Sequence, residues 1–391
     1  MNEDANAYST TRIQVLEGRE AIRKRPGMYI GSTGERGLNQ LVFEVADRAV
    51  NEVLTGRASR VDITLTPDGG VEVADDGPDV PFADTATARD VGGPGLGALL
   101  TTYVGMGPTH RHAPMLGLLG MGLFVANALS SSLTAETRHE GLRRVQEFAR
   151  GVAVTSPTDA GPATGSGTAI SFRPDTDIFG TAEFSFDALA GRFRELAFLY
   201  RDLDISLTDR RSPAEPRSAR FRSPGGARDF VAFIEEQEDV APLHPEVIGF
   251  EQEDARMAGT VEVACRWSAS HQARVRSFAN DRPTPGGGTH EMGFHDGVAA
   301  AVNAYARGRQ LLPATAPDLS TARIGEGLTA VVSVKLDRPE FEGSTRGMLG
   351  CATVRACVGQ AVQEHLGRWL DGHPEQAATV VDRIVQGARQ D

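Results

Sequence analysis

Apolar residues recur at helical spacing through Leu41, Phe43, Val45, Ala49, Val50 and Val53. That spacing predicts a helix whose opposite face carries Glu44, Arg48 and Asn51 at i, i+4 and i+7. The segment Val61-Asp62-Ile63-Thr64-Leu65 alternates with a period of two, as a half-buried strand does. Val73-Ala74-Asp75 reads as another strand, running into a tight turn at Asp76-Gly77. Residues 168–172 are β-rich, 125–129 helical, and residues 189–200 return to helical spacing. Such a mixture suits a mixed sheet covered by helices on one face, an α+β sandwich. Farther along, strand patterns at 259–266 and 328–336 alternate with helices at 298–305 and 352–370, and no internal repeat is visible.

Between these halves the helical pattern gives way to proline, serine and charge over residues 210–228, which marks an interdomain boundary. A length of 391 residues exceeds what one core usually serves, and 40% hydrophobic content supplies two. The net charge of −12 argues against a broad nonspecific grip on DNA. Against that balance, Arg201, Arg210, Arg211, Arg217, Arg220, Arg222 and Arg228 form a cationic run, read either as a solvated interdomain loop or as a face past which DNA travels. Cys265, Cys351 and Cys357 have no metal-ligand spacing and read as small buried hydrophobes in a reducing compartment. No apolar run approaches the ~20 residues of a membrane span and no signal-peptide core is present, so a cytoplasmic location is expected.

Several motifs carry a resemblance. Residues 41–52 and 73–81 resemble the first two nucleotide-binding boxes of the DNA gyrase B subunit, a member of the GHKL ATPase superfamily. Arg25-Pro26-Gly27-Met28-Tyr29-Ile30-Gly31 resembles a further gyrase B signature, as do Phe124-Val125-Ala126-Asn127, Gly167-Thr168, Gly287-Gly288-Thr289-His290 and residues 326–335. The chain is thus similar throughout to the N-terminal half of the gyrase or topoisomerase IV B subunit. The resemblance implies a GHKL (Bergerat) ATPase domain over residues 1–215, with an N-terminal dimerisation arm from Tyr8 through Ile13, and an α/β transducer domain over 216–391. It also implies that the metal-binding cleavage domain of the full-length protein is missing.

The same resemblance assigns roles within an ATP site. Asp75 would accept the adenine amino group, with Gly77 in the adjoining turn and Thr168 supporting the contact through water. Asn51, Val80 and Pro81 would line the pocket, and Gly117, Gly120 and Gly122 would offer backbone amides to the phosphates ahead of the helix at 125–129. Glu44 stands where the family has its general base. Arg346, in Ser344-Thr345-Arg346, stands where the family has the lysine that senses the γ-phosphate.

Departures from the family pattern cluster at that site. The magnesium-ligating asparagine is replaced by Arg48, which cannot bind a cation and at i+4 is expected to pair with Glu44. Pro78 and Asp79 replace an arginine and a glycine, Leu119 replaces a histidine, the segment Gly105-Met106-Gly107-Pro108 lacks a lysine, and His139 replaces a second rim arginine. The expectation is a gyrase B-like ATP-binding protein with weak or absent hydrolysis and no firm magnesium site. Arg48 neutralising the triphosphate, giving metal-independent binding, is a further expectation. Expected partners are a second copy or a gyrase B protein in a mixed dimer, a gyrase A-type subunit and DNA. The alternative is a noncatalytic regulator or decoy of gyrase B, acting through mixed dimers or inhibitor binding.

Overall fold

A computed structural model describes residues 18–78, 80–83, 94–103, 116, 122–212, 214–313, 315–343 and 347–388. The first sheet is built from β1 (Val61–Leu65), β2 (Val71–Asp75), β3 (Ser130–His139), β4 (Leu142–Ala149), β5 (Val152–Ala153), β6 (Thr158–Pro162), β7 (Gly167–Pro174), β8 (Ile205–Asp209) and β9 (Arg217–Phe221). Its strand order is β5-β4-β3-β7-β2-β1-β8-β9, with β6 paired to β4, and the β1–β8 pair is parallel among otherwise antiparallel neighbours. Alternation does the work expected of it: Val61, Ile63 and Leu65 of β1 and Val71 and Val73 of β2 face a core, and their neighbours do not.

Two long helices supply the covering layer. Glu35–Leu54 buries Leu38, Leu41, Val42, Val45, Ala46, Ala49, Val50 and Val53 in this core. Phe186–Leu199 begins at Ser185, whose hydroxyl accepts the N–H of Ala188, and buries Leu189, Phe193 and Leu196. Phe43 and Phe193 meet edge to face at 5.5 Å, fixing the two helices against each other.

The second sheet consists of β10 (Ile248–Asp254), β11 (Gly259–Trp267), β12 (Arg274–Ala279), β13 (Arg282–Pro283) and β14 (Leu328–Leu336), in the order β10-β11-β14-β12-β13. β14 is central and buried on both sides, so that even Thr329 and Ser333 are enclosed among its apolar residues. Helices Thr289–Gly308 and Ala352–Gly372 pack together on this sheet. They touch where a Cβ on Gly297 would lie 2.5 Å from the carbonyl oxygen of Gly359, so only glycine permits the approach. Cys265 and Cys357 are buried here and Cys351 is partly exposed; burial pushes the Cys265 thiol up to about 12.

Residues 210–228 differ from the expected loop. The 215/216 boundary falls between β8 and β9, which share one sheet. β9 hides only Phe221 fully, so an edge strand with exposed arginines carries little hydrophobic signal. The cationic run is largely committed internally: Arg201 to Glu262 at 2.5 Å, Arg211 to Asp209, Arg217 to Asp187, Arg220 to Asp204, and Arg228 to the carbonyls of Val247 and Gly249. Arg210 and Arg222 remain outside these pairs.

The two sheets are joined by aromatic packing and one buried ion pair. Phe198 stacks on Phe230 of the helix Ala227–Gln237 at 4.6 Å, and Phe230 meets Phe278 of β12 at 5.8 Å. Beside them Arg192 donates to both the carboxylate and the carbonyl of Asp281. Phe230→Ala is expected to cost about 3–5 kcal/mol, read as a lower urea midpoint. A midpoint unchanged within error would mean that this stack does not join the halves.

Candidate functional site

The polar stripe of the Glu35–Leu54 helix faces the end of β2, where Asp75 sits opposite Thr168 of β7 in the antiparallel register. Gly167 makes this junction possible: its φ is +144°, and a Cβ there would lie 2.2 Å from the carbonyl oxygen of Asp75. Asp76 fixes the turn that follows, accepting the N–H of Ser59 at 2.7 Å, the N–H of Arg60 at 3.2 Å and the Ser59 hydroxyl. Burial presses the Asp76 carboxyl upward, but these donors hold it below the ordinary range.

Arg48 departs from expectation. Its guanidinium pairs with Asp75 and not with Glu44. The arginine side chain is 10% exposed and the aspartate fully enclosed. The other Asp75 oxygen accepts the N–H of Gly77 at 3.1 Å. Burial pushes the Asp75 carboxyl up, against the pull of Arg48 and the Gly77 amide, with nearby Glu52 adding to the rise. The physical reason for the altered pairing is reach: a long guanidinium near the middle of the helix spans to the adjacent strand end, where a buried carboxylate needs a cation.

Glu44 is buried and accepts the N–H of Gly122 at 3.0 Å and the side-chain amide of Gln40 at 3.4 Å. Leu116 is held from the same helix, its N–H by Asp47 at 2.7 Å and its carbonyl by Gln40 at 3.2 Å. Glu44, Asp47 and Gln40 thus grip both ends of the 116–122 segment. Gly122 was expected to offer its amide to a phosphate; here that amide is taken by a carboxylate of the chain itself.

Other expected residues divide. Asn51 donates to the carbonyl of Asp47 at 2.8 Å, within its own helix. Its side-chain oxygen, the Thr168 hydroxyl and Nη1 of Arg48 are buried and lack a hydrogen-bond partner among the described residues. Val80 packs against the first core, and Pro81 accepts the N–H of Leu96 through its carbonyl at 2.8 Å. Pro78 is partly buried beside the turn, while His139 ends β3 and lies 3.6 Å from Glu140. The expected 8–13 arm, Asp79, residues 105–108, Gly117, Leu119, Gly120 and Ser344-Thr345-Arg346 lie outside the described residues.

The sequence reading missed Gln40, Asp47 and Glu52. Gln40, Glu44, Asp47 and Asn51 step by four, three and four along the helix, a spacing that signalled a second polar line beside Arg48. Among the described residues no cluster of three His, Cys, Asp or Glu suited to a metal is present, and no helix is long and apolar enough to cross a membrane.

A sequence profile of the DNA gyrase B family matches residues 226–391. The chain is 40% identical to the DNA gyrase B protein of Streptomyces coelicolor, an alignment covering 98% of this chain and 58% of that one. The chain therefore spans a little over half the length of that relative. Its structure resembles the 43K ATPase domain of Thermus thermophilus gyrase B in complex with an aminocoumarin, with a TM-score of 0.80, 31% identity and 96% of each chain covered. It also resembles the topoisomerase IV ATP binding domain of Francisella tularensis in complex with a small-molecule inhibitor, with a TM-score of 0.73, 27% identity, and 96% of this chain and 98% of that one covered.

Asp47 yields a pH prediction. Burial raises its carboxyl from 3.8 to about 8, opposed by the Leu116 N–H and Arg282 and assisted by Asp281 and Glu44. The folded chain thus keeps a proton that the unfolded chain releases. Its stabilising contribution is complete below the unfolded value of 3.8 and is lost as pH rises through about 8. Asp47→Asn preserves an oxygen for Leu116 and never ionises. Unfolding free energy measured across this window is expected to fall less steeply in the variant; identical slopes would assign the pH dependence to other groups.

Proposed function

The chain belongs to the DNA gyrase B family, and from that premise we propose that it is a gyrase B-type ATP-binding protein with weak or absent ATP hydrolysis. One observation carries the reading: the carboxylate assigned to the adenine amino group, Asp75, is already paired with Arg48. An incoming neutral amine must compete with a charge-assisted bond inside a buried site, and displacing it would strand a guanidinium away from water.

The phosphate end supports the same reading. Glu44, proposed as the residue of the general-base position, is committed to the Gly122 amide. That bond takes one acceptor position of the carboxylate, and the amide would have to be freed before it could bind a phosphate. The donor set also fits magnesium poorly. Arg48 brings positive charge to the position from which the family's asparagine would reach the ion, so no step is assigned to a metal.

Adenine recognition by Asp75 and Thr168, with Gly77, Asn51, Val80 and Pro81 around them, is retained in this proposal as a weakened site. Gly117, Gly120 and Gly122 remain the proposed phosphate side, and Arg346 the proposed γ-phosphate contact. The intact double-sheet scaffold supports a role exerted through assembly, as a homodimer or as a mixed dimer with a gyrase B protein, in company with a gyrase A-type subunit and DNA. Internal pairing across most of the cationic run favours protein contacts over DNA contacts for that segment. A decoy that captures inhibitors is less well supported, because Arg48 also covers the carboxylate that a pocket ligand would use.

The test is calorimetry with ATP, with and without magnesium, followed by phosphate release, on the wild type and on Arg48→Asn. Freeing Asp75 is expected to tighten ATP binding by roughly tenfold to a hundredfold, the worth of one hydrogen bond to a charged group. The wild type is expected to release no phosphate above background. Magnesium-dependent turnover by the unaltered chain would sink the proposal.

A further inference from the structure

We propose that the cleft between the helices Phe186–Leu199 and Ala227–Gln237 is a binding site for a small amphipathic carboxylate, an anionic group carried on an apolar ring. This cleft is separate from the site around Asp75, and nothing in the proposal depends on how that site works. Its volume is about 430 Å3, within the roughly 300–1,000 Å3 of small-molecule sites. It lies where the two sheets are joined, since Phe198 and Phe230, whose stacking makes the joint, also line the cleft.

Charge is unevenly spent along its walls. Each carboxylate that lines the cleft already has a guanidinium. Asp187 pairs with Arg217 at 2.5 Å, Glu195 with Arg276 at 3.3 Å and Arg192 at 3.4 Å, and Glu238 with Arg274 at 3.5 Å. Arg192 is further held by Asp281. Arg194 lines the same cleft and differs from all of these. Its guanidinium lies over the ring of Phe233 at 5.1 Å and over that of Phe221 at 5.5 Å, and it has no hydrogen bond or ion pair among the described residues. Aromatic rings attract the charge without accepting its N–H donors in line, so the hydrogen-bonding capacity of the guanidinium is unused. The side chain is half-buried, yet none of its nitrogens is sealed from solvent, and a ligand in the cleft can reach them.

A carboxylate supplies what Arg194 lacks, because its two oxygens match the guanidinium fork in parallel bonds. Beside the cation, Phe198, Phe233 and Ile234 offer an apolar wall. A fully polar anion would leave that wall wet, and a neutral hydrocarbon would leave Arg194 unpaired; a carboxylate on an aromatic body satisfies both. Gly191 gives the cleft its depth. It stands in the middle of the helix Phe186–Leu199 and lines the cleft, and a Cβ built on it would meet nothing within 4 Å. Glycine is unfavourable inside a helix, and here no close contact among the described residues requires it. The space its side chain would fill belongs to the cleft.

The probes are 2-naphthoate and its neutral analogue 2-naphthamide, titrated against the full chain and followed by ligand-detected NMR. Expected is saturable binding of the acid with a Kd of roughly 1 mM or tighter, as suits a ligand of this size, and binding of the amide at least about fivefold weaker. Arg194→Met keeps an apolar stem and is expected to bring the acid to the level of the amide. Gly191→Leu fills the cleft and is expected to abolish binding of both. That variant places a good helix former in open space, so its thermal midpoint is expected to equal or exceed that of the wild type. The comparison of acid with amide needs no variant, so misfolding of Arg194→Met cannot shelter the proposal. Equal affinity for the two probes overturns it, as does the lack of saturable binding of the acid up to about 10 mM. A folded Gly191→Leu chain that binds 2-naphthoate as the wild type does places the probe elsewhere and overturns it too.

Discussion

The buried pair between Arg48 and Asp75 governs everything this pocket can do. Neither charge is cheap to enclose, and each is tolerable because the other is there. Asp75 cannot be vacated for a ligand without leaving Arg48 uncompensated, and Arg48 cannot swing toward a phosphate without stranding Asp75. The Gly77 amide and the tight Gly167 junction hold Asp75 in place, so the arginine is left to adapt to the aspartate.

The helix Glu35–Leu54 is the element through which that constraint spreads. One side of it is committed to the core by eight apolar residues, which fixes its rotation and aims the polar stripe. From there Arg48 reaches the end of β2, while Gln40, Glu44 and Asp47 hold residues 116 and 122. The Leu116 and Gly122 amides are thereby occupied by carboxyl groups of the helix. Behind the helix, Asp281, in the turn between β12 and β13, lies near enough to raise the Asp47 carboxyl.

Much of this was legible in the sequence, for reasons that are physical. β14 and the helix Ala352–Gly372 announced themselves because burial enriches one in β-branched apolar residues and imposes a helical period on the other. The strand β1 did so by alternation. β9 did not, since an edge strand with four of its five residues at least partly exposed has no burial pattern to read, and arginine with proline nearby imitates a loop. Around Asp75 the helical spacing placed Arg48 and Glu44 on one face but did not supply the pairing. Helical spacing supplied Glu44 as the nearest partner for Arg48, four positions away, but it says nothing of a carboxylate on another element. Asp75 lies 27 residues distant in the chain, and only the placement of β2 beside the helix brings it within reach. Sequence periodicity reports which face a side chain is on, and a long cation can leave that face.

Arginine at position 48 differs from an asparagine in more than charge. An asparagine there is small, neutral and able to coordinate a cation through its oxygen, and it leaves the carboxylate across the pocket to the ligand. Arginine reverses each property: it is long, permanently charged and a donor only. Had it merely been deleterious, the simplest outcome would be a disordered cation at the pocket mouth. Instead one nitrogen is bonded and the other is buried, as are a hydroxyl and an amide oxygen that also lack partners among the described residues. Three unmet polar atoms around one satisfied ion pair is an expensive arrangement for a pocket that has simply decayed, because hydrophobic residues of similar size would fill it at lower cost.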